Sequence, residues 1–241
     1  MQPPHPHDTR PWWVWATPVI LMAAAIGAEY SGLDLWIARL FWRAENQEWL
    51  FREHWLFKAV LHDAAQQGLV AIGILLLIAT IAVHFVPRAR GVRPALRYLL
   101  ASSVLSAGLV GVIKDHNAIG IPWDLELFGG HRPYLRLFDP APPDLKVGQG
   151  FPAAHAIGGY LWFNLFVLAR RYRPQWQGRA LAVPLIAGAL LGTTQLVRGG
   201  HLLSHDLTSA AIAWVMAWLL RPMLGRTPAP TADAGPANPG L

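Results

Sequence analysis

No cysteine occurs among the 241 residues, so disulfides and thiolate metal sites are excluded outright. Charge is scarce as well: 14% of the residues are Asp, Glu, Lys or Arg, where an ordinary soluble domain carries about 25%. Acidic residues are the fewest, 14 against 20 basic ones, and the resulting net charge of +6 raises nucleic acid as a partner. The arginines form no basic stripe, however. They sit in short clusters between apolar blocks, which is the distribution of cytoplasmic membrane anchors, so no nucleic-acid partner is expected. The opening MQPPHPHDTRPWW lacks the charged region, short apolar core and small-residue cleavage site of a signal peptide. The first apolar block is therefore read as a retained helix.

What the chain has instead is apolar length. Hydrophobic residues make up 54% of it and gather in blocks of the size needed to cross a bilayer, roughly 20 residues at about 1.5 Å rise each. The blocks fall at about Trp12–Glu29, Phe57–Val86, Ala95–Ile113, Pro152–Arg170, Ala180–Val197 and Ser204–Leu220. Between the first two, residues 32–56 alternate Trp and Phe with charges, the pattern of an interfacial amphipathic helix followed by a turn. The expected fold is all-α: an integral membrane six-helix bundle with an interfacial helix between the first two spans. The expected division is a disordered N-terminus over 1–11, two spans with the interfacial segment over 12–94, a four-span core over 95–224 and a disordered tail over 225–241.

Six spans put both termini on one side. The arginine-rich connections at 88–97 and 170–179 fall on that side, as do Arg221 and Arg226. The positive-inside rule makes it cytoplasmic, and the long 115–151 loop, the 198–206 turn and the 32–56 segment then face outward.

Three polar clusters lie at the outward ends of spans three to six: Lys114 with Ile121-Pro122-Trp123-Asp124, Phe151-Pro152-Ala153-Ala154-His155, and the run from Gln195 to Asp206. Bundling makes them neighbours, and ionisable residues at membrane depth default to a functional reading. Their residue types suit phosphoryl transfer without a metal. One histidine can attack phosphorus and a second can protonate the leaving oxygen. A carboxylate can fix the tautomer of the nucleophile. Lysine, arginine and helix-start amides such as that of Ala154 can hold the phosphoryl oxygens.

The clusters resemble the type 2 phosphatidic acid phosphatases, membrane relatives of the vanadium haloperoxidases. That family carries K-x6-R-P, then P-S-G-H, then S-R-x5-H-x3-D. Here Lys114 and Ile121-Pro122 stand at the first motif, Pro152-Ala153-Ala154-His155 at the second, and Gln195 with His201 at the third. The resemblance covers roughly residues 95–220. It implies His201 as nucleophile, His155 as general acid and Lys114 as a phosphate ligand, with no cofactor and no metal. It also implies a lipid phosphate substrate on the outer face of a plasma or inner membrane: phosphatidic acid, phosphatidylglycerol phosphate, undecaprenyl diphosphate or a lipid A phosphate. Oligomeric state stays open.

The chain departs from the family at several positions. Ile121 and Gln195 replace family arginines, and Ala153-Ala154 replaces Ser-Gly. The fourth residue after His201 is His205, with Asp206 one step later, a turn of about 100° on a helix. Either an irregular turn lets Asp206 orient His201, or His205 shares that role with Gln195 near it. The runs IPWDLELFGG and RGGHLLSHDL are similar to those of a bacterial subgroup with the same shifts. Arg198, three residues after Gln195 on the same helical face, is the preferred replacement phosphate clamp, and Arg132 the next candidate. His62-Asp63 and Gln66-Gln67 read as inter-helix hydrogen-bonding groups ahead of a headgroup role. Competing readings are a lipid phosphotransferase, a catalytically silent lipid-binding protein, a metal site of His201 and His205 joined by His62 or His116, and a transporter.

Overall fold

A computed structural model describes residues 11–225; the disordered tails expected over 1–11 and 225–241 lie outside it except for their innermost residues. The described chain is predominantly helical. Helix α1 covers Trp13–Tyr30, and a short α2 covers Leu33–Leu40. Two residue pairs, Trp42–Arg43 (β1) and Glu48–Trp49 (β2), then form an antiparallel hairpin. The 32–56 segment is therefore part helix and part hairpin rather than helix and turn, and the fold is not purely α. Helix α3 runs through Ala65–Ala82 and is preceded by a π-helical stretch, Leu56–Ala64. The remaining long helices are α4 (Arg93–Asp115), α7 (Gln177–Arg198) and α8 (Leu203–Leu219). The expected fourth span is broken into α5 (Ala154–Tyr160) and α6 (Phe163–Tyr172).

Among the described residues four helical stretches are long and apolar enough to cross a membrane: Trp13–Tyr30, Leu56–Ala82, Pro87–Asp115 and Pro174–Arg198. The α5–α6 pair and α8 pack among them. Only 6% of an 18-residue window of the second stretch is buried, and Val70, Ile74, Leu75, Ile78 and Ile81 are bare on its surface. That much contiguous exposed apolar surface is unstable in water, whereas lipid covers it.

The centre of the bundle is α8, which packs on α1, α4, α5 and α6. Close approach and polar pairing hold it together, since lipid supplies no hydrophobic drive between helices. A Cβ added at Gly159 would run into the Gly188 backbone, so α5 and α7 meet through small residues. Asn164 Nδ2 donates to Ser102 Oγ at 3.0 Å and to Ser103 Oγ at 3.1 Å, joining α6 to α4. Pro18 stands inside α1 and has no N–H to offer the Val14 carbonyl. The Trp214 indole donates to that carbonyl at 2.8 Å, which satisfies a backbone group that would otherwise be orphaned in hydrocarbon.

Arginines gather at one end of the bundle. Arg93 donates to the Val83 and His84 carbonyls, Arg170 lies over the Trp13 ring, and Arg171 donates to Gly225. The opposite end holds the C-termini of α4 and α7 and the N-termini of α5 and α8, where the three polar clusters fall.

Candidate active site

The turn that carries His201 is built by its own glycines. Gly199 adopts a left-handed φ of 76°, a conformation that favours glycine. The Gly200 N–H then donates to the Gln195 carbonyl at 2.8 Å and the Gly199 N–H to the Leu196 carbonyl at 3.1 Å. These are the paired bonds of a Schellman ending, which satisfies the last carbonyls of α7. A Cβ at Gly199 would strike the Trp49 ring, so the hairpin is seated directly on this turn. The Gly199 carbonyl in turn accepts from Trp123 N–H at 3.2 Å, tying the Ile121-Pro122-Trp123-Asp124 run to the same place.

His155 is brought to the turn by two ties. Ala153 N–H donates to the His205 carbonyl at 3.2 Å, and Ser209 Oγ donates to the Ala153 carbonyl at 2.9 Å. The outer loop adds a third connection toward Lys114: Asn117 Nδ2 donates to the Phe151 carbonyl at 2.8 Å, and Gly150 N–H donates to the Ile119 carbonyl at 2.8 Å. The end of α4 and the start of α5 are thereby held side by side.

His201 is buried, and the charged groups near enough to act on it are His205, Lys114 and His155. Its ring lies edge-on to His205, with centroids 5.8 Å apart. Burial holds the His201 imidazole well below its usual titration range, so it is neutral and nucleophilic at ordinary pH. Its Nδ1 has no partner among the described residues. His155 is close to Lys114 and Arg198, and its Nε2 likewise lacks a partner. Lys114 is half-buried and forms no ion pair among the described residues.

Arg198 is 5% exposed. Its Nε donates to the Arg52 carbonyl at 3.2 Å, while Nη1 is buried without a partner. The Arg52 guanidinium lies 4.4 Å over the Trp123 ring, which fixes the backbone that holds Arg198. A buried guanidinium nitrogen without a partner, in electrostatic reach of His155, is a natural place for phosphoryl oxygens.

Two sequence candidates are engaged elsewhere. Asp206 makes no hydrogen bond to His201 among the described residues; its Oδ2 accepts from the Tyr160 hydroxyl at 3.1 Å, and it lies against Gly192. The helix of α8 is regular here, so the 100° step from His205 turns Asp206 toward α5 and α7. Arg132 Nη2 donates to the Ala118 and Lys146 carbonyls, stitching the outer loop rather than facing the histidines. Gln195 contributes mainly through its carbonyl, which accepts from Gly200 and, at 3.4 Å, from His201 N–H. Ala154 opens α5 and is exposed.

Three neighbours of the site have contacts that only the three-dimensional structure shows. His62 lies face to face on His155, with ring centroids 3.9 Å apart. Asp63 bonds to His62 at 2.7 Å. Asp34 of α2, 1% exposed, accepts from Ser204 N–H at 3.0 Å and so caps α8 from another helix. The His-Asp dipeptide was visible as a polar pair on an apolar span, but its partner ring is 93 positions away in sequence. Among the described residues no group of three or more His, Asp or Glu side chains is arranged to hold a metal ion.

No curated protein and no solved structure matches the chain. The sequence model of the PAP2 superfamily matches residues 95–228, more than half of the chain, taking in Lys114, His155, His201 and Arg198 and leaving out α1 to α3. By that match, and by the order of the motifs now seen at one end of the bundle, the chain belongs to the PAP2 superfamily.

Proposed function

We propose that this chain is a membrane lipid phosphatase that works without a metal, through a phospho-histidine at His201. Members of the superfamily generally hydrolyse phosphate esters. The observation that carries the reading is the buried neutral His201 with His155, Lys114 and the unpaired Arg198 Nη1 gathered at one end of the bundle. In the first half-reaction an N–P bond forms at His201 and the P–O bond to the leaving alcohol breaks, while His155, neutral at rest because burial lowers its pKa to about 4 and protonated as the phosphate anion enters beside it, gives that proton to the leaving oxygen. In the second, water attacks phosphorus, His155 takes a proton from it, and inorganic phosphate leaves as His201 is restored. Lys114 and Arg198 hold the phosphoryl oxygens throughout. His205 supports the His201 ring from its edge, and Asp206 acts at one remove, tying the first turn of α8 to α5 through Tyr160.

A lipid as the substrate is supported by the surface of α3. An open groove of about 540 Å³ is lined by Asp63, Gln66, Gln67, Val70, Ala71 and Ile74. It grades from polar near His62 to apolar along the span, as a headgroup and its acyl chain do. The end bearing Arg93, Arg170 and Arg171 lies opposite the site, which favours a six-span arrangement with both termini cytoplasmic and the chemistry on the outer face.

The test is phosphate release from a panel of lipid monophosphates and diphosphates in detergent, with and without EDTA. Release that survives EDTA and disappears in His201→Ala supports the reading. A parent-like His201→Ala variant, or activity abolished by EDTA, defeats it. Labelled phosphate should remain on the protein after a base quench and be lost in acid, as a phosphoramidate requires.

A further inference from the structure

His62 lies outside the matched superfamily region and outside every motif above, yet it meets the proposed general acid directly. The two imidazoles are stacked with centroids 3.9 Å apart and planes inclined by 23°. His62 is itself held: its Nδ1 bonds to Asp63 Oδ1 at 2.7 Å. Adjacent side chains on a regular α-helix diverge. These two meet within the π-helical stretch Leu56–Ala64, a departure that recurs at functional sites.

His155 needs such support. No hydrogen bond from the described residues fixes its ring, and Nε2 is buried without a partner. A proton donor must present its N–H to the leaving oxygen within hydrogen-bond reach and in line. The face of His62 is the surface against which the His155 ring plane can be set.

We propose that His62, braced by Asp63, is a positioning residue that holds the His155 imidazole in the plane from which it protonates the leaving oxygen. The inference rests on the reading of His155 as general acid. In that step the electrons of the breaking P–O bond go to the leaving oxygen and a proton moves to it from His155, whose N–H electrons remain on the ring. Nothing is transferred to or from His62.

The consequence is selective. An alkoxide leaving from a lipid phosphate needs a proton as it departs, whereas p-nitrophenolate leaves without one. The experiment compares a short-chain diacylglycerol phosphate with p-nitrophenyl phosphate in the full-length detergent-purified enzyme, under single-turnover conditions that read release of the alcohol or phenol, because the later hydrolysis of the phospho-histidine uses His155 as base for both substrates. For His62→Ala we expect diacylglycerol release to slow roughly 10- to 100-fold, the scale of a misplaced catalytic group. Substrate affinity should stay within about twofold and p-nitrophenol release should be nearly unchanged, because the phosphate ligands are untouched. His62→Phe restores a flat ring without a titrating nitrogen and should recover most of the rate of diacylglycerol release. Equal losses on both substrates, no loss at all, or failure of the phenylalanine to rescue would each overturn the inference. His155→Ala separates the two levels. If it spares p-nitrophenol release while His62→Ala does not, the inference alone fails. If His155→Ala slows both releases equally, the reading of His155 fails and the inference with it.

Discussion

Replacing Arg198 with alanine separates catalysis from folding in a way the structure quantifies. The guanidinium is 5% exposed, with Nε on the Arg52 carbonyl and Nη1 buried without a protein partner. Losing the bond to Arg52 removes a charge-assisted hydrogen bond worth about 1.5–3 kcal/mol. Removing the unpaired nitrogen relieves a desolvation penalty of about 1–3 kcal/mol. The two nearly cancel, so folding stability should change by roughly 1 kcal/mol or less. Nothing offsets the loss in the transition state, where charge on the phosphoryl oxygens loses one preorganised donor. Removing such a donor lowers turnover about 10²- to 10³-fold, or about 2.7–4 kcal/mol. Arg198→Lys should fall between the two, since it keeps the charge but cannot span Arg52 and phosphate at once. The assay is initial-rate phosphate release from a lipid phosphate in mixed micelles, run beside thermal unfolding of the same preparation. An Arg198→Ala variant turning over within about threefold of the parent would refute the clamp, and so would a loss accounted for by unfolding.

Three further outcomes are expected. Because burial holds the His201 pKa below that of the unfolded chain, about 6.5 for a free imidazole, the unfolded state takes up the extra proton first. The His201 contribution to stability is then fully present above about pH 6.5 and is lost as pH falls toward the folded value; acid unfolding curves of His201→Gln against the parent should show a shallower loss below pH 6.5, and identical curves would contradict it. Gly199→Ala should destabilise the protein by at least about 1–2 kcal/mol, the cost of a left-handed non-glycine residue, and by more because the Cβ meets Trp49; an unchanged unfolding midpoint in detergent would count against this turn. Asp34→Ala removes the acceptor for Ser204 N–H and should cost about 1–2 kcal/mol, with phosphate release falling as the first turn of α8 loosens; full stability would show that water replaces the cap.

The long membrane stretches and the motif positions were legible in the chain because each depends on local quantities. A span needs unbroken apolar length, and a helix-end cluster needs only its spacing from that span. Helix α7 runs over Gln177–Arg198 where Ala180–Val197 was expected, whereas α8, over Leu203–Leu219 where Ser204–Leu220 was expected, is a helix but not among the four stretches long and apolar enough to cross a membrane. The break between α5 and α6 was not legible, because Leu161 and Trp162 are as apolar as their neighbours. Nor was the hairpin of Trp42–Arg43 and Glu48–Trp49, whose Trp49 is placed by Phe128 and the Gly199 turn from distant parts of the chain.

The same division runs through the site. By itself the sequence determined that Lys114, His155 and His201 lie at helix ends on one side of the bundle, since hydropathy sets where each helix stops. Tertiary structure alone decided what each side chain meets there. It turned Asp206 to Tyr160, occupied Arg132 with loop carbonyls, anchored Arg198 on Arg52 and laid His62 over His155. Those outcomes depend on how helices and the outer loop sit against one another, and contacts between residues 14 to 146 positions apart set them.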